Sequence, residues 1–316
     1  MKVLAIINPV AGRGRARKLW PRLRAHFVQA GWSVEEVYST GRGHAVELAA
    51  SALDCDGILA VGGDGTCNEV ANGLLRASSA PARFLAPLPV GTANDFATCM
   101  GVPGEPEAAA RALVGGRLRR IDVGWVNGRF FLTIAGCGFD AEVARRVNQW
   151  PKLLGGKGMY VAGIFHQLAA FRPVRMEISM DQRVWIQPTF MLAAGNLPCY
   201  AGGLRMCPEA RPDDGWLEVV LVREVSRVEV VRLLPRLLDG SHVRHPKVEV
   251  MRAKEVEVRS IIPVAVHADG EFVGTTPARF TIHPQTLEVL LPVSVAERVP
   301  LRAAQPARVA FIRGRS

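Results

Sequence analysis

No run of about 18 consecutive apolar residues occurs in this 316-residue sequence, so no transmembrane segment is expected. Residues 1–9 are too short and too soon broken by Asn8-Pro9 to serve as a signal peptide, and they read as a first strand. The six cysteines, at 55, 67, 99, 137, 199 and 207, include no CxxC pair and no His/Cys group with zinc spacing. They read as free thiols in a reducing compartment. The histidines at 44, 166, 242, 245, 267 and 283 show no ligand spacing either, and they read as structural or surface residues. Acidic residues are outnumbered, 29 against 39 basic, for a net charge of +10. That imbalance calls for an anionic partner: a nucleotide, a nucleic acid or an acidic membrane surface. No RNA or DNA motif accompanies it, so nucleic acid is not expected as a partner. The absences together point to a cytoplasmic protein whose membrane contact, if any, is peripheral. A homodimer is left open.

What is present centres on Gly62-Gly63-Asp64-Gly65-Thr66. The apolar run 57–61 before it reads as a buried parallel strand. Val70 and Leu74 after it fall on one face of a helix. Glycines on such a strand-to-helix turn let a ligand approach the backbone, and the free N–H groups of the helix start favour phosphate. Asp64 would repel phosphate unless Mg²⁺ sits between them. Thr66 can cap the helix or bond a phosphate oxygen. Taken alone, the stretch is an ordinary glycine turn with Asp64 as a cap.

Two similar turns tip the balance. Strand 3–7 ends in Asn8-Pro9-Val10-Ala11-Gly12-Arg13-Gly14, ahead of a basic amphipathic helix with Leu19, Leu23 and Phe27 on one side. Strand 84–90 ends in Gly91-Thr92-Ala93-Asn94-Asp95-Phe96. Between them, strand 32–38 leads through Thr40 into a short helix. This alternation is the pattern of a doubly wound parallel sheet, whose ligands bind outside the carboxyl ends of the strands. Asp64 and Asp95 would then face one crevice, to hold Mg²⁺ or order an acceptor, or else simply cap their helices.

The texture changes near residue 118. A hairpin turning at Asn127-Gly128 is followed by strands at 174–180, 183–191, 216–223, 247–251, 255–259, 262–267, 271–273, 279–283 and 286–291. Helical patterns interrupt only at 141–148, 158–171 and 226–238. The expected fold class is therefore α/β: an N-terminal doubly wound parallel-sheet domain (1–122) followed by a mainly β sandwich domain (123–294). A basic tail at 295–316 either returns to the first domain or stays disordered. Residues 159–171 form the most apolar stretch of the second domain, preceded by Arg145, Arg146, Lys152 and Lys157. A buried helix and an acyl-chain groove beside a membrane surface explain it equally well.

In this order, Asn8-Pro9 with Gly12, Gly62-Gly63-Asp64-Gly65-Thr66 and Gly91-Thr92-Ala93-Asn94-Asp95-Phe96 resemble the diacylglycerol kinase catalytic family, in its bacterial lipid kinase branch, related to sphingosine and ceramide kinases. Gly136-Cys137-Gly138-Phe139-Asp140-Ala141, Asn196 with Tyr200-Ala201-Gly202-Gly203, Cys207-Pro208-Glu209-Ala210, Asp213-Asp214-Gly215 and His267-Ala268-Asp269-Gly270-Glu271 look like its later blocks, so the likeness runs from about residue 3 to 292. The resemblance implies ATP held by Asn8, Gly62, Gly63, Asp64, Gly65, Thr66, Cys67 and Asn68, with Thr40 and Thr92 alongside. It implies a carboxylate base at Glu271 or Asp269. It also implies a structural Mg²⁺ held by Asp214 and the carbonyls of Arg211 and Trp216. Cys67 stands where an aliphatic residue is usual, and Ala97-Thr98 follows Phe96 where Ala-Arg is common.

On the residues alone, Asp269-Gly270-Glu271 is a plain hairpin turn; with the resemblance, Glu271 is the expected base, helped by Asp269. The expected activity is transfer of the γ-phosphate of ATP to a diacylglycerol-like lipid at an anionic membrane. A kinase for phosphatidylglycerol, a sphingoid base or ceramide, a NAD kinase-like phosphotransferase, and a nucleotide-binding regulatory protein are the alternatives.

Overall fold

The computed structural model describes residues 1–77, 83–147, 156–181 and 183–293. The basic tail and Lys152 lie outside them. The first half alternates as expected: β1 (Lys2–Ile7), α1 (Ala11–Gln29), β2 (Ser33–Tyr38), α2 (His44–Ser51), β3 (Gly57–Gly62), α3 (Asp64–Arg76), β4 (Phe84–Pro89), α4 (Asp95–Cys99) and α5 (Pro106–Val114). The second half adds β5 (Arg117–Val126), β6 (Arg129–Phe131), β7 (Ile134–Gly138), α6 (Phe139–Val147), α7 (Gly156–Ala170), β8 (Val174–Met180), β9 (Arg183–Gly195), β10 (Leu217–Arg223), α8 (Arg227–Leu233), β11 (Val248–Ala253), β12 (Glu255–Ser260), β13 (Ala265–Ala268), β14 (Glu271–Thr275) and β15 (Ala278–Leu291).

β2, β1, β3 and β4 lie side by side in that order, all parallel. Chain order reverses on either side of β1, which opens a crevice beyond the carboxyl ends of β1 and β3. β3 and β4 are buried at every position, because helices cover both faces. The second half is mainly β and antiparallel, as expected. β9 serves both of its layers: 183–189 pairs with β8, and 191–195 lies between β7 and β10. An apolar core fills the space between, with Met176, Ile178, Leu192, Val219, Val256 and Phe280 fully buried.

Three departures from the sequence reading have physical causes. The strands read at 279–283 and 286–291 are one strand, β15, with an irregularity between His283 and Leu287. Its second part crosses back to the first domain and pairs with β4 at Val289 and with β5 along 117–121. Residues 226–238 do not form one helix; a 3₁₀ turn, Leu234–Leu237, takes over at Pro235, whose ring cannot continue the α pattern. The hairpin turns at Asn127 and Gly128, both at positive φ, but β6 stops at Phe131. The N–H groups of Leu132 and Thr133 are drawn out of the ladder to the carboxylate of Asp269.

Among the described residues, no helix is long and apolar enough to cross a membrane.

Candidate active site

Three turns leave the carboxyl edge of the parallel sheet and are packed backbone to backbone. The Asn8 N–H donates to the Val61 carbonyl (3.0 Å), and Asn8 Nδ2 reaches Thr66 Oγ1 (3.2 Å), so the first turn is tied to the second. The N–H groups of Val90 and Gly91 both donate to the Gly62 carbonyl (2.8 and 3.0 Å), tying the third. A Cβ on Gly91 would lie 2.5 Å from Gly63 Cα, and one on Gly12 would lie 2.2 Å from the Val90 oxygen. These contacts, with the left-handed φ of +57° at Gly12, explain the glycines there. Gly65 is different: nothing lies within 4 Å of a Cβ placed on it, so it faces open space.

That space is at the start of α3, where no side chain caps the helix at Gly63. Its first N–H groups and the positive end of the helix dipole are available to an anion. Asp64 Oδ1 accepts the N–H of Phe96 (2.9 Å), so the carboxylate bridges the second and third turns. Burial, with the charge of Asp95 nearby, pushes the Asp64 carboxyl up to about 6. Asp95 is itself buried, and its Oδ2 accepts the Gly202 N–H (2.7 Å) from the second domain. Two crowded carboxylates beside a phosphate-type turn fit a divalent cation, whose charge would relieve their repulsion. Thr40 is exposed at the rim, with Oγ1 2.9 Å from His44 Nδ1. Its loop is fixed from α3, because Glu69 accepts the N–H groups of Gly43 (2.9 Å) and Ala45 (3.2 Å). Thr92 is exposed on the third turn.

Cys67 and Asn68, expected at the nucleotide, point elsewhere. Cys67 packs into the core, and burial drives its thiol far above the ordinary range. Asn68 is 1% exposed and joins the two domains. Its Nδ2 donates to the Phe130 carbonyl (2.9 Å) and to Asp269 Oδ2 (2.7 Å), and its Oδ1 accepts from Arg129 Nη2 (2.7 Å).

From the second domain, Asp269 and Gly270 form the two-residue turn between β13 and β14, at φ 48° and 77°. The Asp269 carboxylate accepts from the N–H groups of Leu132 (2.8 Å), Thr133 (2.8 Å) and Ile134 (3.3 Å), from Thr133 Oγ1 (2.6 Å) and from Asn68. A carboxylate offers about four lone-pair sites. These donors occupy them all. Glu271 is held differently. Its Oε2 lies 2.6 Å from Arg129 Nη2 and 3.1 Å from Arg42 Nη2, yet it has no well-aligned hydrogen bond, so charge rather than direction holds it. The structure therefore brings Asn8, Asp64, Thr66, Asp95, Asp269 and Glu271 to one crevice, with Asp269 saturated by donors and Glu271 held by two arginines.

The difference is testable. Asp269→Asn sets an amide NH₂ against N–H donors, at a cost of about 1–3 kcal/mol for unsatisfied buried groups. The variant is expected to melt several degrees below wild type, with activity falling in step. Wild-type melting combined with a collapsed kcat would return Asp269 to the chemistry.

The expected metal loop is built differently. Asp214 Oδ1 accepts the Trp216 N–H (3.1 Å), while the Arg252 guanidinium closes on Oδ2. Arg119 does the same for Asp213, and Arg211 Nε stands 3.7 Å from its other oxygen. Arg252 and Lys254 both lie over the Trp216 ring. The neighbouring Asp122, fully buried, accepts the N–H groups of Gly215 (2.6 Å) and Gln285 (2.8 Å). No group of three or more metal-ligating side chains occurs among the described residues. As folded, the loop 211–216 balances Asp214 with arginine, which takes the place of a cation at that carboxylate. Asp214→Ala and Arg252→Ala should therefore lower the melting temperature alike, and EDTA should shift Asp214→Ala and wild type by the same amount. A Mg²⁺-dependent gain in melting that wild type shows and Asp214→Ala lacks would assign a metal to the loop.

Sequence reading missed Arg42, Arg129, Asn68 as a joint, Glu69 and Asp122. Arg129 alone had a local signal, since it follows the Asn127-Gly128 turn; the others act across more than twenty residues of chain.

Residues 2–126 match the family model of the diacylglycerol kinase catalytic domain, and residues 133–291 match that of the YegS C-terminal NAD kinase beta sandwich-like domain. The chain is 32% identical over 299 residues to the diacylglycerol kinase of Bacillus subtilis, covering 93% of this chain and 97% of that one. It is 34% identical over 302 residues to the diacylglycerol kinase of Mycobacterium tuberculosis, covering 92% and 95%. A crystal structure from Bacillus anthracis superposes with a TM-score of 0.79 at 25% identity, over 93% of this chain and 96% of the other.

Proposed function

The chain belongs to the diacylglycerol kinase catalytic family, and on that premise we propose that it moves the γ-phosphate of ATP to a hydroxyl of a diacylglycerol-like lipid. One observation carries the reading. The turn 269–271 of the β half is bonded to the phosphate-type helix α3 through Asn68, with Glu271 left facing Arg42 and Arg129. Phosphoryl transfer needs positioned phosphates, neutralised charge and a group to receive the acceptor's proton. The turns at 8–14 and 62–66 would hold the phosphates, with Thr40 and Thr92 beside them. Asp64 and Asp95 would hold a divalent cation such as Mg²⁺, which would supply the neutralisation. Glu271 would take the hydroxyl proton. Arg42 and Arg129, which hold Glu271 in the free protein, would be drawn to the charge of the arriving phosphate.

An apolar cavity supports a lipid acceptor over a soluble one. It lies among α6, α7, α8, β9 and β10, lined by Phe139, Val143, Ile164, Phe190, Val222 and Leu237, and its volume is about 60 Å³. Its lining is almost wholly apolar, as contact with an acyl chain requires. Ile164 and Leu168 of the apolar stretch are buried against this core, while Phe165 is exposed.

Labelled ATP offered with vesicles containing diacylglycerol, phosphatidylglycerol, a sphingoid base or ceramide, and separately with NAD, tests the proposal. Label is expected in the diacylglycerol product. Label in NAD alone would overturn the lipid reading, and nucleotide binding without transfer would make the chain a regulatory protein. At the membrane, peripheral attachment by the basic surface predicts activity that rises with the anionic lipid fraction and falls with salt, because charge attraction is screened within about 10 Å at 0.1 M. Indifference to both would remove the electrostatic attachment.

A further inference from the structure

His267 is fully buried and Asp140 is 3% exposed, with Nε2 and Oδ2 2.9 Å apart. Nothing in the chemistry so far uses either residue. They meet because β13 pairs with β7 so that His267 lies opposite Gly136. A Cβ at Gly136 would stand 3.0 Å from Asp140 Oδ2 and 3.2 Å from His267 Nε2, so that glycine leaves the volume in which the two side chains touch. Asp140 sits in the first turn of α6, where its Oδ1 accepts the Ala141 N–H (2.8 Å). The Tyr200 ring stacks on the imidazole, nearly parallel at 6.3 Å between centroids.

The other ring nitrogen meets the turn 269–271. His267 Nδ1 accepts the N–H of Gly270 (3.3 Å), the residue immediately before Glu271. A ring nitrogen that accepts carries no proton, so the ring's single proton is on Nε2 and is donated to Asp140. The opposite tautomer would set an N–H against the Gly270 N–H. Asp140 thus chooses the tautomer, and the tautomer anchors the turn. A buried pair of this kind is no bargain for stability, since apolar side chains of similar volume are often as good. Its contact with the turn is what distinguishes it from a packing solution.

We infer that Asp140 and His267 are positioning residues for Glu271, fixing the turn 269–271 so that the carboxylate stands at the acceptor hydroxyl. The inference rests on the kinase reading with Glu271 as proton acceptor. It also places the pair between two parts of the site, because Asp140 borders the apolar cavity as well.

His267→Gln and His267→Asn divide the chain of contacts. Glutamine can still donate to Asp140 from the Nε2 side but offers Gly270 no acceptor. Asparagine offers the acceptor but leaves Asp140 without its partner. Asp140→Asn lets the ring take the other tautomer. Each full-length variant would be examined for melting temperature, for amide hydrogen exchange at Gly270 and Glu271, and for kcat and ATP KM. For His267→Gln the expectation is near wild-type melting, exchange at the turn faster by about tenfold from local opening, and kcat lower by about 10- to 100-fold with ATP KM nearly unchanged. His267→Asn should keep the slow exchange at Gly270. A folded His267→Gln protein with wild-type exchange and kcat overturns the inference, as does an ATP KM that rises in parallel with the loss of kcat. If His267→Gln does not fold, Asp140→Asn is judged by the same readouts. If wild type moves no phosphate to any lipid, the kinase reading has failed, and the exchange arm still decides whether the pair anchors the turn.

Discussion

Glu271→Gln is expected to lower kcat by about 10²–10⁴, the usual worth of a positioned general base, while ATP affinity stays nearly the same. The glutamine keeps the length and shape of the side chain but cannot accept a proton. A primary or secondary alcohol gives up its proton late in a loose transition state, when the forming P–O bond has made it acidic, so the loss should fall on kcat rather than on ATP binding. Asp269 is the weaker acceptor, because its lone pairs are occupied by Leu132, Thr133, Ile134 and Asn68. Single-turnover kinetics with saturating ATP would give the number. An unchanged kcat would mean that the proton goes elsewhere, and Asp95, buried at the same crevice, would be tested next.

Asp64→Asn should lose phosphoryl transfer and, in the absence of divalent cation, gain stability. Asp64 carries a cost in the folded state because burial and Asp95 oppose its ionisation. Its folded value, about 6, lies above its ordinary value of 3.8. Above pH 6 the group is ionised in both the folded and unfolded chain, and the folded state bears the full cost. Well below 3.8 it is protonated in both, and the cost vanishes. The contribution of Asp64 to stability therefore declines as pH rises through 3.8 to beyond 6, by about 3 kcal/mol for a separation of this size. Asparagine is neutral throughout, and its oxygen can still accept the Phe96 N–H. In EDTA the variant should melt several degrees above wild type at pH 8, and the two curves should converge well below pH 3.8. Equal melting at pH 8 would contradict the account of burial, and full activity would remove Asp64 from the site. The same group is thus expected to be costly for the fold and necessary for the reaction.

The parallel sheet and its three turns could be read from the sequence because their signals are local. Glycine, asparagine and aspartate punctuate the ends of short apolar runs, and each turn is complete within about six residues. The β half was legible as strands but not as a sheet. Alternation says nothing of which strands pair, so β15 was read as two strands and its return to β4 was not foreseen. The site divided along the same line. Asp64 and Asp95 lie on turns that declare themselves, while Glu271 stands on a hairpin turn that only the family resemblance marked out. Asn68 bonding Asp269 across 201 residues, or Arg42 meeting Glu271, depends on how two domains dock and leaves no pattern in either segment. His267, read as a structural histidine, is buried in β13 with its Nδ1 on the turn 269–271, a contact that only the pairing of β13 with β7 and β14 reveals.

The return of β15 sets the order in which the molecule can be made. Leu287, Val289, Leu290 and Leu291 pack into the core of the N-terminal sheet beside Leu85, Leu113 and Ile121. A nascent chain that has exposed only its first 126 residues holds β4 with an unpaired edge and a core open on that side, the condition that invites wrong pairing. Some 160 residues must follow before the closing strand arrives. The nucleotide half is therefore the first to be synthesised and among the last to be sealed, and a chain cut anywhere before β15 would leave the ribosome as an aggregation-prone fragment rather than as a free-standing domain.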